Sequence, residues 1–374
     1  MNILFIGPYR QVDEWGRKSR SLLKAIKNAG HSVTSRPIFL APHPSFNSYL
    51  EMSEFNTSDD YDVLIQFLLQ PYAIYEGSFA KRVGIFNTET IPRNLPLSSL
   101  TKELLMDEVW TDSVLLKNSL QSSLDNYGGN VTVRAIPPLL DTSDLPADEP
   151  SLSIRGSDPE IRDRFIFYYI GNIAEEKSGF KEACVAFLST FSKSDLVALV
   201  ATPEVPIADE HIEQIMGECR TLVGQGNAIH HPLIKVIRPQ NNGMLQTSER
   251  IALHKECDCM VAPHYSLSMN SLVLEAALYG NAPIVNKGNA CYEWWKDDRG
   301  VWGIDSYEEI CFTNERPLPY RFTSEESWHK PIVKSIGDVM QVAYVDKFDR
   351  DKKIKKNSEL REYFNGPVLQ EILQ

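Results

Sequence analysis

The stretch of the chain that decides the fold is APHYSLSMNSLVLEAALYGNAPIV, residues 262–285. It leaves an apolar strand pattern, passes through a polar loop and reaches Asn270 and Ser271, two residue types that favour helix N-caps. An apolar helix pattern over 272–279 ends at a glycine, and residues 282–285 form the next apolar run. Strand, loop, helix and strand in this order predict a parallel α/β unit.

The same unit recurs through the second half of the chain. Its first strand pattern, residues 165–171, is apolar and ends in a glycine. Later strand and helix patterns alternate, with strands at 196–201, 234–237 and 259–263 and helices at 180–191, 210–224 and 248–255. Short apolar strands separated by helix-length segments indicate a parallel sheet covered on both faces.

The first half of the chain opens in the same way. A strand pattern covers 2–7, a helix pattern covers 19–29, and Gly30 stands at the helix C-cap. Further strand patterns cover 31–34, 62–67, 82–87 and 108–111. This half therefore predicts a second α/β domain.

Together these patterns predict two Rossmann-like α/β domains that face each other across a cleft. The first domain covers 1–145 and the second covers 160–340. Residues 140–164 are rich in acidic residues, proline and serine and include Gly156, which is typical of a linker. We expect a charged C-terminal helix, about 345–374, to pack back onto the first domain.

The composition excludes several classes of protein. The 374 residues are 43% apolar and 24% charged, as in ordinary globular proteins, and no apolar run approaches the ~20 residues of a membrane span. The six cysteines lack disulfide or zinc-site spacing, so we expect reduced, buried thiols. The first residues enter a strand pattern without a basic leader, which predicts a cytoplasmic protein, or one acting in the host cytoplasm if it is viral.

The net charge of −12 disfavours a broad nucleic-acid or anionic-membrane surface. One local exception is the segment from Arg10 to Arg36, which has seven Lys or Arg residues against Asp13 and Glu14. The segment could face an anionic ligand or could be a solvated helix face. Residues 1–150 as a whole carry 13 positive and 18 negative residues, a net charge of −5.

Three loops that join a strand to a helix are candidates for binding a diphosphate, because helix N-termini favour negative charge. The first follows residues 2–7 and contains Gly16, where backbone could approach a ligand, followed by Arg17. A simple tight turn is the alternative. No Gly-x-Gly-x-x-Gly pattern is present, which counts against a nicotinamide-dependent dehydrogenase.

The second loop, residues 171–179, places Lys177 where its ammonium could reach phosphate oxygens. An ordinary surface lysine beside two glutamates is the alternative. The third loop leads to Asn270 and Ser271, and Glu275 lies one turn into the helix, where a carboxylate could accept both hydroxyls of a ribose. The alternative there is a capped helix with an acidic first turn, worth about 1 kcal/mol.

The order of these loops resembles that in retaining GT-B glycosyltransferases of family four (glycosyl transferases group 1). The resemblance covers roughly residues 1–300. It also rests on the segment Asp107-Glu108-Val109-Trp110-Thr111-Asp112-Ser113, on residues 136–141, and on the helix and Gly-x-x-Pro turn of residues 275–285.

The resemblance implies a donor site for a UDP- or GDP-sugar that needs no metal and no further cofactor. Lys177 would neutralise the diphosphate and take part in catalysis. The remaining donor contacts would come from Gly16 and Arg17, the backbone amides of Asn270, Ser271 and Leu272, and the Glu275 carboxylate on the ribose.

The first domain would bind the acceptor, which we leave open as a glycan, a small molecule or a modified base. The candidate acceptor loop is Asn87-Thr88-Glu89-Thr90, directly after a strand pattern. Glu89 could contact the acceptor or the sugar as a catalytic residue. A helix or turn cap is the alternative role.

Two positions depart from the family pattern. Leu267 stands where the family has the glutamate that touches the donor sugar, and Asn172 replaces the usual arginine of the phosphate loop. These changes leave open a weak or inactive homologue that binds a nucleotide sugar or glycan. A virus-type enzyme that glycosylates modified DNA bases is a further alternative, which the basic segment Arg10 to Arg36 permits and the net charge disfavours.

Overall fold

The structure is a computed structural model. It describes residues 1–11, 13–39, 52–58, 60–69, 72–74, 76–86, 89–92, 100–137, 139–140, 153–224, 231–240, 245–295, 300–311 and 326–364.

The first domain is built on a parallel sheet of six strands in the order β2-β1-β3-β4-β6-β7. Within the described residues, the sheet is accompanied by the α-helices α1 (Glu14–Asn28) and α2 (Val114–Asp125). The strands are β1 (Asn2–Gly7), β2 (Ser32–Pro37), β3 (Val63–Phe67), β4 (Lys81–Ile85), β6 (Glu108–Thr111) and β7 (Thr132–Ala135).

The second domain has its own parallel sheet of six strands, in the order β10-β9-β8-β11-β12-β13. Its strands are β8 (Phe165–Gly171), β9 (Val197–Pro203), β10 (Leu233–Val236), β11 (Cys259–Ala262), β12 (Ile284–Asn286) and β13 (Trp302–Ile304). Its helices are α3 (Ile154–Ser157), α4 (Phe180–Thr190), α5 (Asp209–Leu222), α6 (Thr247–Glu256), α7 (Ser271–Leu278), α8 (Ala290–Trp295) and α9 (Val333–Val345).

Both sheets have a hydrophobic core on each face, as parallel sheets require. In β8, Tyr168 belongs to one core and Phe167 to the other, and both are fully buried. In the first domain, Phe5 and Leu64 lie in different cores in the same way. The prediction of two Rossmann-like α/β domains is confirmed.

A third, antiparallel sheet links the two halves of the chain, and the sequence patterns did not predict it. It consists of β5 (Ile91–Pro92), β14 (Ser306–Ile310) and β15 (Glu326–Pro331), in the order β14-β15-β5. Ser327 of β15 is paired with Ile91 of β5, so a first-domain segment extends a second-domain hairpin.

The final helix, α10 (Lys347–Phe364), has its described contacts within the second domain. Lys353 Nζ donates to the carbonyl of Val301 at 3.0 Å, and Asn357 Nδ2 donates to the carbonyls of Asn281 and Gly300. Residues 365–374 lie outside the described part, so docking of residues 345–374 on the first domain stays a prediction.

Helix α1 begins five residues earlier than the sequence pattern suggested. Asp13 is its N-cap and accepts a hydrogen bond from the Gly16 amide at 3.0 Å. After Trp15 the next large apolar residue of the helix is Leu22, and this gap delayed the predicted start. The early start places Gly16 and Arg17 in the first helical turn, at the cleft.

The strand orders identify where a ligand would bind. In each sheet the order reverses at one point, between β1 and β3 in the first domain and between β8 and β11 in the second. Ligands of open α/β sheets bind beyond the carboxyl ends of the strands at such points. The loops that follow β1, β8 and β11 are the three predicted phosphate loops.

None of the helices in the described ranges is both long enough and apolar enough to cross a bilayer.

Candidate active site

A polar cavity of about 150 Å³ lies between the two domains, where these loops meet. The loop after β8 and the loop after β11 provide most of its wall, and two first-domain carboxylates close it. Its lining residues are Glu14, Glu89, Gly171, Asn172, Glu175, Lys177, Ser178, Glu204, His264, Ser266, Ser268, Met269 and Asn270.

Lys177 lies in this cavity on the loop between β8 and α4. Its ammonium forms ion pairs with Glu89 of the first domain and with Glu175, the latter at 3.1 Å. Burial lowers the pKa of Lys177, but the two carboxylates outweigh it and raise the pKa above its ordinary value. The lysine is therefore a fixed positive charge in the cavity.

The N-terminus of α7 forms the facing wall. Asn270 is its N-cap, and its side-chain oxygen accepts from the Leu272 amide at 2.9 Å. The Asn270 amide donates to Cys291 Sγ at 3.3 Å. Of the three amides predicted to bind phosphate, only that of Ser271 donates to a group from the other domain, Glu14 Oε1 at 2.8 Å.

Glu14 occupies this helix N-terminus with both carboxylate oxygens. Besides the amide contact, its Oε2 accepts from Ser271 Oγ at 2.5 Å. Burial raises the pKa of Glu14, but Arg17, Lys18 and the Ser271 hydrogen bonds lower it below its ordinary value. An anionic carboxylate thus fills a position that suits a phosphate oxygen.

The Arg17 side chain contacts Glu14 of its own domain and residues of the second domain. Its guanidinium donates to Ser271 Oγ, Glu14 Oε2 and Glu204 Oε1, each at 2.9 Å. Burial lowers the pKa of Arg17, while Glu204, Glu14 and Glu275 raise it above its ordinary value. The site therefore has two cations, the buried Arg17 behind Glu14 and the half-buried Lys177 in the cavity wall.

Glu275 lies one layer beneath the cavity and is almost completely buried. Its Oε2 accepts from Arg250 Nε at 2.5 Å, and His254 Nε2 lies 3.6 Å from the same oxygen. Burial raises the pKa of Glu275, but the charge of Arg250, the hydrogen bond and charge of His254 and the charge of Arg17 lower it to about 2. Its role as a ribose ligand stays a prediction, since in this structure its carboxylate is paired with Arg250.

Gly16 is buried against the backbone of the preceding loop. A Cβ at this position would lie 1.8 Å from the carbonyl oxygen of Gln11, so only glycine allows this close approach. This contact explains the glycine through packing. Its predicted contact with the diphosphate stays a prediction.

The candidate acceptor loop is only partly described, because Asn87 and Thr88 lie outside the described residues. Glu89 lines the cavity, and its carbonyl accepts from the Leu267 amide at 3.0 Å. Thr90 Oγ1 donates to Glu326 at 2.9 Å. Glu89 therefore lies beside Leu267, the position at which the family pattern has a glutamate and this chain does not.

Several residues of the site were not predicted from the sequence. Glu204 directly follows β9, and His264 follows β11 at the carboxyl end of the same sheet, so their positions at strand ends could have identified them. Burial lowers the pKa of His264, which favours a neutral imidazole beside Asn270. Arg250 had no such signal, because its partner Glu275 is 25 residues away.

The domains are held together on the far side of α7 by a second set of contacts. Asp112 Oδ2 accepts across the domain boundary from the Met269 amide at 2.8 Å and, within its own domain, from Lys18 Nζ at 3.0 Å. Glu293 accepts from the amides of Val114 and Leu115 at the start of α2. A ligand that enters the cleft must bind within this connected interface or open it.

The basic segment from Arg10 to Arg36 is largely engaged within the protein. Arg10 contacts Glu54, Arg17 contacts Glu204, Lys18 contacts Asp112, and Arg20 and Arg36 donate to backbone carbonyls. This arrangement gives no support to the alternative of a DNA-binding surface.

All six cysteines are buried free thiols, as predicted. Among the residues that the structure describes, no group of three or more His, Cys, Asp or Glu side chains is arranged to hold a metal ion.

No family model and no curated protein sequence matches the chain. Solved structures do match over its whole length. The E. coli trehalose-6-phosphate protein bound with UDP-2-fluoro glucose has a TM-score of 0.65 at 10% identity, over 100% of this chain and 98% of that chain. Anabaena Alr3699/HepE in complex with UDP and glucose has a TM-score of 0.63 at 11% identity, over 100% and 98%.

A third match is the UDP-forming α,α-trehalose-phosphate synthase from Burkholderia xenovorans, with a TM-score of 0.63 at 11% identity, over 100% of this chain and 97% of that chain. Similarities at this level of identity establish the fold alone. The chain has the GT-B fold, two facing Rossmann-like domains with a cleft between them.

Proposed function

We propose that the protein is a glycosyltransferase that takes a sugar from a nucleoside diphosphate donor, with retention of configuration and without a metal ion. The observation that carries this proposal is the polar cavity, where Lys177 and the N-terminus of α7 face each other with Arg17 behind. These groups are suited to an anion that carries at least two negative charges.

The carboxylates of Glu14 and Glu89 now neutralise these groups. In the proposed cycle the donor diphosphate replaces them. One phosphate accepts from the Ser271 amide and hydroxyl in place of Glu14, and the other pairs with Lys177 in place of Glu89. The exchange keeps Lys177 and Arg17 each paired with an anion when the donor enters.

The proposed reaction exchanges two bonds at the anomeric carbon. The bond to the diphosphate oxygen breaks and the electron pair leaves with the nucleoside diphosphate, while an acceptor oxygen bonds to the same face of the sugar. The acceptor proton passes to the departing diphosphate. Lys177, Arg17 and the helix N-terminus stabilise the charge that develops on that leaving group.

Uridine is the proposed nucleoside of the donor, and glucose is the proposed sugar. Two solved structures with this fold hold UDP-2-fluoro glucose or UDP and glucose. A sugar or another small hydroxyl compound is the proposed acceptor, and Glu89 is the first-domain carboxylate proposed to face it. In the same scheme Glu275 contacts the ribose after releasing Arg250.

A second candidate function is binding of a nucleotide sugar without turnover. Position 267 favours it, because Leu267 is fully buried and cannot supply a carboxylate to the donor sugar. Glu89, whose carbonyl accepts from the Leu267 amide, is the nearby carboxylate that would have to compensate.

Assays of UDP release from UDP-glucose test these proposals. Parallel assays of GDP release from GDP-glucose test the choice of nucleotide, and assays with and without EDTA test metal independence. We expect sustained UDP release that EDTA leaves unchanged, and an α-linked product by NMR from the α-linked donor. UDP binding without release would support the binding protein, and inhibition by EDTA would refute metal independence.

A further inference from the structure

A second cavity, of about 60 Å³, lies on the other side of residues 269–271 from the polar cavity. It is bounded mainly by hydrocarbon side chains of the first domain. Phe67, Ile85 and Thr111, which line it, are the last residues of β3, β4 and β6, so it opens at the carboxyl edge of the sheet where ligands of this architecture bind.

The lining of this apolar cavity combines many apolar side chains with a few polar ones. Trp110, Leu116, Ile136 and most other contributors are apolar, whereas Lys18, Thr111, Asp112 and Ser271 are polar. Ligand pockets commonly combine apolar walls with a few polar groups that orient the ligand. An apolar group gains contacts here that water cannot provide.

The size of the apolar cavity limits what can enter it. A single water needs about 10–15 Å³ by the same measure, so the cavity has room for about four groups of that size. This volume corresponds to a linear or branched alkyl group of about four carbons.

The position of the apolar cavity links it to the donor. Met269 lines both cavities, and Ser271 lines the apolar one while its amide and hydroxyl donate to Glu14 at the polar one. A molecule with its alkyl group in the apolar cavity would thus place its polar end next to the helix N-terminus, beside the proposed donor.

We propose that the acceptor carries a compact aliphatic group of about four carbons and binds by placing that group in the apolar cavity. This assignment rests on the proposed function, because it names the substrate class of the same cleft. The hydroxyl that receives the sugar belongs to the polar part of the same acceptor.

Calorimetric titration of butyl β-D-glucoside and methyl β-D-glucoside into the full chain, with and without UDP, tests the assignment. The three extra carbons should make the butyl compound bind about 10- to 50-fold more tightly. Ile136→Phe, which fills the cavity, should abolish this preference. Leu222→Phe, at a position that is 71% exposed on α5, is the matched control and should preserve it.

UDP affinity and the melting temperature verify that each variant is folded, and Leu139→Phe is a second filling variant if Ile136→Phe fails to fold.

Equal binding of the two glucosides with intact UDP binding would refute the assignment alone and would identify the apolar cavity as a packing void. A butyl preference that survives both filling variants would place the alkyl group elsewhere and also refute it. A chain that binds no UDP yet keeps a cavity-dependent butyl preference would refute the proposed function, and with it the role of this ligand as acceptor.

Discussion

The two cavities on either side of residues 269–271 differ in chemistry although they share Met269. In the polar cavity, charged side chains from both domains are matched in pairs, such as Lys177 with Glu89. In the apolar cavity, the first domain contributes mainly hydrocarbon. In the proposed function, this short segment separates the place for a charged leaving group from the place for an uncharged substrate group.

The difference also affects how each cavity can be filled. Burying a charge requires a partner, and in this structure carboxylates pair with the cations of the polar cavity, where the proposed donor would replace them. An apolar cavity has no such requirement and gains only contact energy when it is filled. Substitutions in the polar cavity or directly beneath it should therefore have measurable effects, the largest at Lys177 and the smallest at Glu14.

Replacing Lys177 by Met should reduce UDP release from UDP-glucose by about 100- to 1,000-fold, because the variant loses a preorganised charge at the leaving group. Steady-state assays of UDP release measure the effect. Lys181→Met is the matched control, since this exposed lysine pairs with Glu218 on α5 and lies outside both cavities. Equal activities of the two variants would contradict the role of Lys177.

Replacing Glu275 by Gln should lower the free energy of unfolding at pH 7 by about 3 kcal/mol, since the pKa shift from 4.5 to about 2 corresponds to that amount. The folded pKa is depressed, so the stabilisation is present above pH 4.5 and is lost as the pH falls toward 2. Urea unfolding at pH 7 and at several values between 5 and 2 measures it.

The difference between wild type and Glu275→Gln should therefore narrow as the pH falls through this window. Glu213→Gln, at an exposed position on α5, is the control and should change stability little. A difference that stays constant down to pH 2 would show that Glu275 acts through packing and not through its charge.

Replacing Glu14 by Gln should raise the affinity for UDP by about tenfold, because it removes the charge that competes for the Ser271 amide and for Arg17. Calorimetry with UDP measures this change. Glu54→Gln, which alters a first-domain ion pair with Arg10 outside both cavities, is the control. A loss of affinity in Glu14→Gln would instead identify Glu14 as a ligand of the donor.

Much of the fold could be predicted from the sequence because its strands are short, apolar and bounded by helix patterns. The third sheet could not, because β5 has two residues and its partner strand β15 lies more than 230 residues further along the chain. No local pattern indicates a pairing of that kind.

The loops of the candidate site could be predicted from the sequence, whereas the ion pairs and hydrogen bonds between its distant residues could not. Lys177 and Asn270 follow strand ends, and the structure brings them into one cavity. Other contacts of the site depend on how the domains and helices pack. Examples are the hydrogen bond from the Ser271 amide to Glu14 and the ion pair of Arg250 with Glu275. A sequence pattern carries no information about such distant partners.

The most direct test of the central claim, that the polar cavity binds a diphosphate, is calorimetric titration of UDP and uridine at the same ionic strength. The arrangement of Arg17, Lys177 and the α7 N-terminus predicts that UDP binds at least about 100-fold more tightly than uridine. Equal affinities, or no binding of UDP at millimolar concentration, would contradict the claim.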